Sequence, residues 1–255
     1  IIIMANNSPN NTNQPALLPL INPSKSLWLQ FTTTRNTDPV TALRRRAIQR
    51  TRRLTAVPKT NNTVYNAMND MGEYLTQRPQ EVGALHNQAT NFLTVNRNIE
   101  AKQLLEKALS VNSSHIPSLI DMANVCVRLK KADLGLQFAN AAVSLAPHNC
   151  MAYNALASCL ARMGKYGKAL KIQHKALFYG PNNPSVHRNL AALYRAQGKN
   201  NNAIPHYESV RRLDPNDEQN YKHYINALVS EGRKSETYKL AIKRNQILGI
   251  KPERW

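Results

Sequence analysis

The chain has few acidic residues, few cysteines and no long apolar run, and each shortage narrows what it can be. Its 255 residues include 15 Asp and Glu against 34 Lys and Arg, a formal net charge of +19 at pH 7. Such an imbalance favours an acidic partner: nucleic acid, an anionic membrane or an acidic protein surface. No apolar stretch approaches the roughly 18 residues of a membrane span, so we expect no transmembrane helix.

The three cysteines do not suggest a disulfide scaffold or a metal site. Cys126, Cys150 and Cys159 form an odd set without the paired spacing that either would need. We therefore expect a reducing, intracellular compartment, no metal and no cofactor. Cys126 and Cys159 fall within helical patterns, where a buried thiol behaves as a small apolar residue.

Motifs for catalysis are also lacking. The sequence contains no phosphate-binding glycine loop, no nucleophile elbow and no paired-carboxylate signature. His187 lies at a packing position of the pattern described below, which favours a structural role over metal ligation. The sequence predicts a protein that is not an enzyme.

Residues 1–62 differ in composition from the rest of the chain. They contain nine Lys and Arg, one acidic residue (Asp38), six prolines and no glycine. Such a segment buries too little apolar surface to fold alone, so we predict an extended basic arm. Asp38 and Pro39 suit a helix start, and we predict a short Arg-rich helix at about 39–54. The candidate contacts of the arm are six arginines and three apolar anchors: Arg44, Arg45, Arg46, Arg50, Arg52 and Arg53, with Trp28, Leu29 and Phe31.

From residue 63 onward the sequence repeats with a period of 34 residues. Three residue types recur independently at this interval. They are Pro147, Pro181 and Pro215; Gly164, Gly198 and Gly232; and Ala89, Ala123, Ala157 and Ala191. A period of this length is typical of stacked helical hairpins.

The pattern resembles the tetratricopeptide repeat, in which two helices form each unit. A large residue opens the first helix, a small one follows four positions later, and small residues recur in the second helix. The large residues are Leu85, Leu119, Tyr153 and Tyr221, and the small ones of the second helix are Ala101, Gly135, Ala169 and Ala203. The resemblance implies an all-α fold, a right-handed α-solenoid of about four to five hairpins with capping helices and the extended N-terminal arm.

The period sets the predicted boundaries of the solenoid, residues 63–251. We place a capping helix at 63–78 without a partner helix, and a C-terminal tail at 252–255. The four full repeats are 82–115, 116–149, 150–183 and 184–217. A degenerate repeat follows at 218–251, where Thr237 and Arg244 replace small residues. Asn96 and Lys130 stand where later repeats have the turn glycine.

The resemblance also implies a concave groove, lined by the first helices, that binds extended peptides. The candidate groove residues are Asn87, Asn124, Arg128, Asn154, Arg162, Arg188, Arg195 and Lys222. Because arginine pairs well with carboxylates, we expect an acidic or C-terminal peptide, or a folded-back part of the arm, as the ligand. A solvated polar surface is the alternative. The Lys/Asn carboxylate clamp of chaperone-binding members is not matched.

The third repeat has a second basic feature. Lys165, Lys168 and Lys171 are three residues apart, with Lys175 beyond them and no acidic residue in the repeat. Either the ridge contributes only solubility, or it contacts an acidic neighbour.

These features predict a non-enzymatic scaffold that binds proteins within a large assembly, with the arm docked on an acidic surface. Residues 32–62 contain no aromatic side chain for base stacking. That favours tubulin in a microtubule or axoneme, as in a cilium or flagellum. A protein of the cytosolic or mitochondrial ribosome that contacts rRNA phosphates is one alternative, and a soluble cargo or chaperone adaptor is another. The Arg-rich, acid-poor segment is also typical of a mitochondrial presequence. The oligomeric state stays open.

Overall fold

The computed structural model describes residues 38–53 and 61–249, and all regular secondary structure in these ranges is α-helical. The helices are α1 Pro39–Arg53, α2 Asn61–Gln77, α3 Val82–Thr94, α4 Asn98–Val111, α5 Ile116–Arg128, α6 Ala132–Leu145, α7 Cys150–Arg162, α8 Tyr166–Tyr179, α9 Pro184–Ala196, α10 Asn200–Leu213, α11 Glu218–Ser230 and α12 Lys234–Leu248. The predicted anchors Trp28, Leu29 and Phe31 and the tail 252–255 lie outside the described residues.

Helices α3 to α12 form successive hairpins whose first helices begin 34 residues apart, from Val82 to Glu218. Each hairpin packs on the next, and the first helix α7 also packs on the first helices α5 and α9. Each second helix instead packs mainly on the first helices that flank it. The all-α solenoid predicted from the sequence is confirmed, and the first helices lie along its inner side.

A left-handed residue closes the turn within each of these hairpins. Gly164, Gly198 and Gly232 have φ angles of 75°, 71° and 69°, and Asn96 and Lys130 take the same place at 60° and 62°. The next amide then bonds to a carbonyl five residues back, as Lys131 N does to Cys126 O at 2.8 Å. Glycine adopts this conformation without the steric cost that a Cβ imposes.

Small residues let the helices approach closely. Ala89, Ala123, Ala157 and Ala191 of the first helices are fully buried. At Gly135 of α6, an added Cβ would lie 3.0 Å from the carbonyl oxygen of Ala123 and 3.0 Å from Cys159 Sγ. The thiols of Cys126 and Cys159 are buried, as predicted, and burial raises the pKa of Cys159 to about 12, so that this thiol is unreactive at neutral pH.

Helix α1 belongs to the solenoid, which differs from the predicted arm. Leu43 and Ala47 are buried in one cluster with Met71 and Tyr74 of α2 and Ala84 of α3. Toward the other end of α1, the Nδ2 atom of Asn91 lies 3.4 Å from Thr51 Oγ1. Residues near the start of α1 thus contact the start of α3, and residues near the end of α1 contact the end of α3. The two helices therefore run parallel.

Acidic residues of the chain itself pair with the arginines of α1. Arg44 lies 2.8 Å from Glu81, Arg46 lies 3.2 Å from Glu73, and Arg50 lies 2.8 Å from the buried Asp70. Arg46 also lies 3.4 Å from Asp70. Arg45 is exposed, and Arg52 and Arg53 belong to the last turn of α1. Half of the six arginines assigned to an external acidic surface therefore have internal partners.

The helix predicted at 63–78 as a cap without a partner is therefore paired with α1, and the predicted boundary at residue 62 is displaced. Seven residues, 54–60, separate α1 from α2, whereas three residues separate the two helices of each later hairpin. This linker and the longer α2, with 17 residues against 14 in α4, contribute to the wider spacing: Leu43 and Ala47 precede Leu85 and Ala89 by 42 residues instead of 34. A pattern sought at a fixed period misses a first helix displaced in this way.

Candidate peptide-binding groove

The inner face of the solenoid contains a cavity between the first helices α7 and α9, close to α5. Its volume is about 310 Å³. Small and apolar side chains make most of its wall: Val127, Ala157, Ala161, Ala192, Leu193 and Ala196. Polar groups complete the wall: Ser158, Arg162, Tyr166, Gln173 and Asn189. This mixture of an apolar wall with a few polar groups is typical of a ligand site.

Hydrogen bonds fix the polar floor of this cavity. Asn189 Nδ2 donates to Asn154 Oδ1 and to Ser158 Oγ, both at 2.9 Å. Gln173 Nε2 donates to Asn154 Oδ1 at 2.7 Å and to the carbonyl of Val186 at 3.0 Å. Asn154 is buried, so it joins α7, α8 and α9 and is not an open contact for a ligand. The floor is thus preorganised by groups from three helices.

Most of the predicted groove cations already have partners. Arg188 donates from Nε and Nη2 to Asp217 Oδ2 at 2.9 and 2.6 Å. Arg195 hydrogen-bonds to His223, and Lys222 lies 2.8 Å from Glu218. Arg128 donates to the backbone carbonyl of Leu93 at 3.3 Å.

Arg162 is the exception among the cations predicted for the groove. Its side chain is exposed, lies at the cavity, and forms no ion pair or hydrogen bond with any residue in the described ranges. The side chains of Asn87 and Asn124 are half-buried and also have no hydrogen-bonded partner there. The structure therefore places one unpaired guanidinium next to an apolar cavity.

Sequence reasoning missed the small residues that create the cavity. Ala196 occupies the repeat position of Arg162 and Arg128, and Ala192 occupies that of Ser158 and Asn124. The available signal was that the fourth repeat has alanine where its neighbours carry longer polar side chains. An exposed alanine on an inner face leaves space that a ligand can fill.

The described residues offer no assembled metal site, since no three His, Cys, Asp or Glu side chains converge within ranges 38–53 and 61–249. None of the helices in those ranges is both long and apolar enough to cross a membrane.

The geometry defines an α-solenoid with a groove along its first helices. Residues 148–216 match the family model described as tetratricopeptide repeat. No curated protein sequence matches the chain. The match coincides with the third and fourth full repeats, so the chain contains tetratricopeptide repeats, and the hairpins beside them continue the same fold.

Two solved structures show how far the fold similarity extends. TTC0263, a thermophilic TPR protein in Thermus thermophilus, aligns with a TM-score of 0.65 and 18% identity, covering 72% of this chain and 98% of that one. MamA from residue 41 to its end, from Desulfovibrio magneticus RS-1, aligns with a TM-score of 0.53 and 18% identity, covering 71% and 98%. At such identities the similarity concerns the fold alone.

Proposed function

We propose that the protein is a non-enzymatic scaffold whose groove binds an extended peptide of a protein partner. The observation that carries the proposal is the unpaired Arg162 beside the cavity between α7 and α9. A peptide carboxylate, from Asp, Glu or a chain end, pairs with this guanidinium. A small apolar side chain of the same peptide fills the space over Ala192 and Ala196.

The cavity and the arginine act together in this proposal. A bound peptide that covers the apolar wall excludes water from one side of Arg162, which strengthens the attraction of this guanidinium for a carboxylate relative to a fully solvated pair. The floor made by Ser158, Gln173 and Asn189 is already fixed by hydrogen bonds to and around the buried Asn154, so little ordering is needed when the peptide binds.

The test selects peptides from a random library on the full chain and measures their affinity by fluorescence anisotropy. Arg162→Glu should weaken binding by about tenfold or more, since it replaces attraction with repulsion. Ala192→Phe, at an exposed position, should weaken it by filling the cavity. Arg212→Glu makes the same charge change on an exposed second-helix residue and should change the affinity less than about twofold.

Two results would overturn the groove proposal. One is the selection of peptides whose affinity survives both Arg162→Glu and Ala192→Phe. The other is an equal loss in the Arg212→Glu control, which would indicate a response to net charge without a site.

We further propose a place in a large assembly with an acidic surface, for which the net charge of +19 is the support. The preference for a microtubule or axoneme depends on the basic arm, and Arg44, Arg46 and Arg50 of that arm have internal partners. Residues 1–37 contain only Lys25 and Arg35 as cations. Fewer cations of the arm are therefore free to dock on tubulin than its composition indicates.

Co-sedimentation with polymerised tubulin tests that assignment, using the full chain and a variant without residues 1–37, which keeps α1 in place. Sedimentation that disappears in the shortened variant supports a microtubule-bound arm. Failure of the full chain to sediment contradicts it. Ribosome association that is lost after RNase treatment would favour the ribosomal alternative instead.

A further inference from the structure

The outer face of α8 differs from the outer faces of the other second helices. Lys168, Lys171, Lys175 and Phe178 are all exposed and follow one another at intervals of three, four and three residues. This spacing places them in one stripe along about 15 Å of helix. We call these four residues the α8 stripe.

The lysines of the α8 stripe have no acidic partner among the residues that the structure describes. None of them forms an ion pair with any residue of ranges 38–53 and 61–249, and α8 itself contains no acidic residue. Two other second helices contain an ion pair of their own, Lys102 with Glu106 on α4 and Arg211 with Glu208 on α10. The stripe is therefore an uncompensated cationic surface.

Phe178 adds an apolar group at one end of the stripe. It is 79% exposed, and its ring contacts Tyr179 edge-on at a centroid distance of 5.2 Å. The corresponding residues of the other repeats are all polar: Ser110, Ser144, Arg212 and Gln246. An apolar ring left in water at this one repeat has no role in packing the solenoid.

Comparing equivalent positions of the repeats shows which residues of α8 are needed for packing and which are not. The buried positions of α8, Ala169 and Ala176, have small or apolar counterparts in α4, α6 and α10, as packing demands. The stripe positions vary among the repeats: lysine recurs at the position of Lys171 only in Lys239, and at that of Lys175 in Lys107 and Lys243. The counterparts of Lys168 include no lysine, so no other repeat combines all three lysines with an aromatic ring at the position of Phe178. The stripe is thus not a by-product of the repeat pattern.

We propose that the α8 stripe is a second protein-binding surface, on the opposite side of the hairpin from the groove, and that its partner is an acidic amphipathic helix. Successive lysines rise by about 4.5 and 6 Å along the axis, which matches carboxylates placed three and four residues apart on a second helix. Phe178 fits an apolar side chain at the end of that row. Proteins that bind single-stranded nucleic acid stack successive bases on several aromatic side chains, whereas the stripe contains a single ring, which favours a protein partner.

The test uses the full chain and three labelled probes in anisotropy measurements at one fixed, low ionic strength. The first is a designed helical peptide of about 20 residues with Glu at three- and four-residue intervals and a terminal Leu on the same face. The second has the same composition with its Glu distributed around the helix. The third is single-stranded oligouridylate.

The chain offers a matched control for the lysines. Lys239 and Lys243 of α12 stand two repeat periods after Lys171 and Lys175, are exposed, and form no ion pair within the described ranges. Lys171→Glu/Lys175→Glu should weaken binding of the first peptide by about tenfold or more, and Lys239→Glu/Lys243→Glu by less than about twofold. Phe178→Ser, which introduces the residue of two other repeats, should weaken it severalfold. Circular dichroism checks that each variant is folded.

Several outcomes overturn the proposal. They are no binding of the first peptide, equal binding of the redistributed peptide, or equal losses in the test and control pairs. Tighter binding of oligouridylate that is lost only in the stripe variants would assign the surface to nucleic acid instead. Arg162→Glu should leave binding of the first peptide intact. The proposals for the α8 stripe and for the groove can therefore be disproved independently of each other.

Discussion

At the scale of single residues, a histidine pair joins the two helices of the fourth full repeat, next to the end of the third. His187 Nε2 donates to the carbonyl oxygen of Pro181 at 2.8 Å, so its Nδ1 is free to accept from His206 Nδ1 at 3.2 Å. The ring of His206 also stacks on Tyr194 at a centroid distance of 5.7 Å. Burial, with smaller contributions from His187 and His174, lowers the pKa of His206 to about 4. His187 therefore has the structural role predicted for it.

This depressed pKa predicts a loss of stability in mild acid. The folded chain binds the proton more weakly than the unfolded chain, whose histidine has a pKa of about 6.5. The stabilisation is complete above that value and is lost as the pH falls toward 4. Between pH 7 and pH 5 we expect a loss of about 1 kcal/mol, after discounting for the partly exposed ring.

Urea unfolding at pH 7 and pH 5 measures this effect. His206→Gln should reduce the loss of stability between the two pH values. His148→Gln, at an exposed position, should leave the loss unchanged. The same pH dependence in all three proteins would show that His206 does not titrate as described.

At the scale of the helices, close packing of α5, α6 and α7 depends on the absence of a side chain at Gly135. A Cβ there would lie 3.0 Å from Ala123 O, a backbone atom that cannot move without shifting α5, and 3.1 Å from Cys126 Cβ. Gly167, in the first turn of α8, has nothing within 4 Å of the same added atom. A substitution at Gly135 therefore tests the packing of the helices, whereas the same substitution at Gly167 tests helix propensity alone.

Gly135→Ala and Gly167→Ala should accordingly change stability in opposite directions. Alanine favours a helix over glycine by up to about 1 kcal/mol, which is the gain expected at Gly167. At Gly135 overpacking should outweigh that gain and destabilise the protein by about 1–2 kcal/mol net. Chemical denaturation measures both, and stabilisation by Gly135→Ala would disprove the packing argument.

At the scale of the whole molecule, stability is expected to vary along the solenoid, because each hairpin contacts only its neighbours. The hairpin α1–α2 lies at one end and depends on Asp70, whose buried carboxylate faces Arg50 at 2.8 Å. Terminal units of a solenoid open more readily than central ones. The docking of α1 should therefore be a local property that can be lost without unfolding the rest.

Asp70→Asn tests this by removing the charge that faces Arg46 and Arg50. We expect it to weaken the docking of α1 by about 1–2 kcal/mol, since the arginines are partly solvated. Hydrogen exchange should accelerate in residues 40–53 and stay unchanged in α7 to α10. Glu106→Gln, which breaks an exposed pair with Lys102, is the control. Uniformly faster exchange would mean that α1 is not an independent unit.

The sequence by itself determined the repeat unit and most of its internal order. Glycine and proline limit backbone conformation locally, so Gly164 and Pro181 mark turns and boundaries wherever the chain lies. Alanine at 34-residue intervals indicates helix contacts because no larger residue fits them. Even Asn96 and Lys130, which lack the expected glycine, adopt its left-handed conformation because the hairpin around them requires it.

Only the tertiary structure decided which charges are available and where the solenoid begins. The sequence shows that Arg162 and Arg188 are cationic, but not that Asp217 lies within 2.6 Å of Arg188 while Arg162 stays unpaired. Likewise, Arg50 pairs with Asp70 of a separate helix. This contact shows that α1 packs on the solenoid and is not part of the arm. The physical reason is common to both cases: conformational preferences act within a few residues, whereas electrostatic pairing depends on distances that only the folded chain creates.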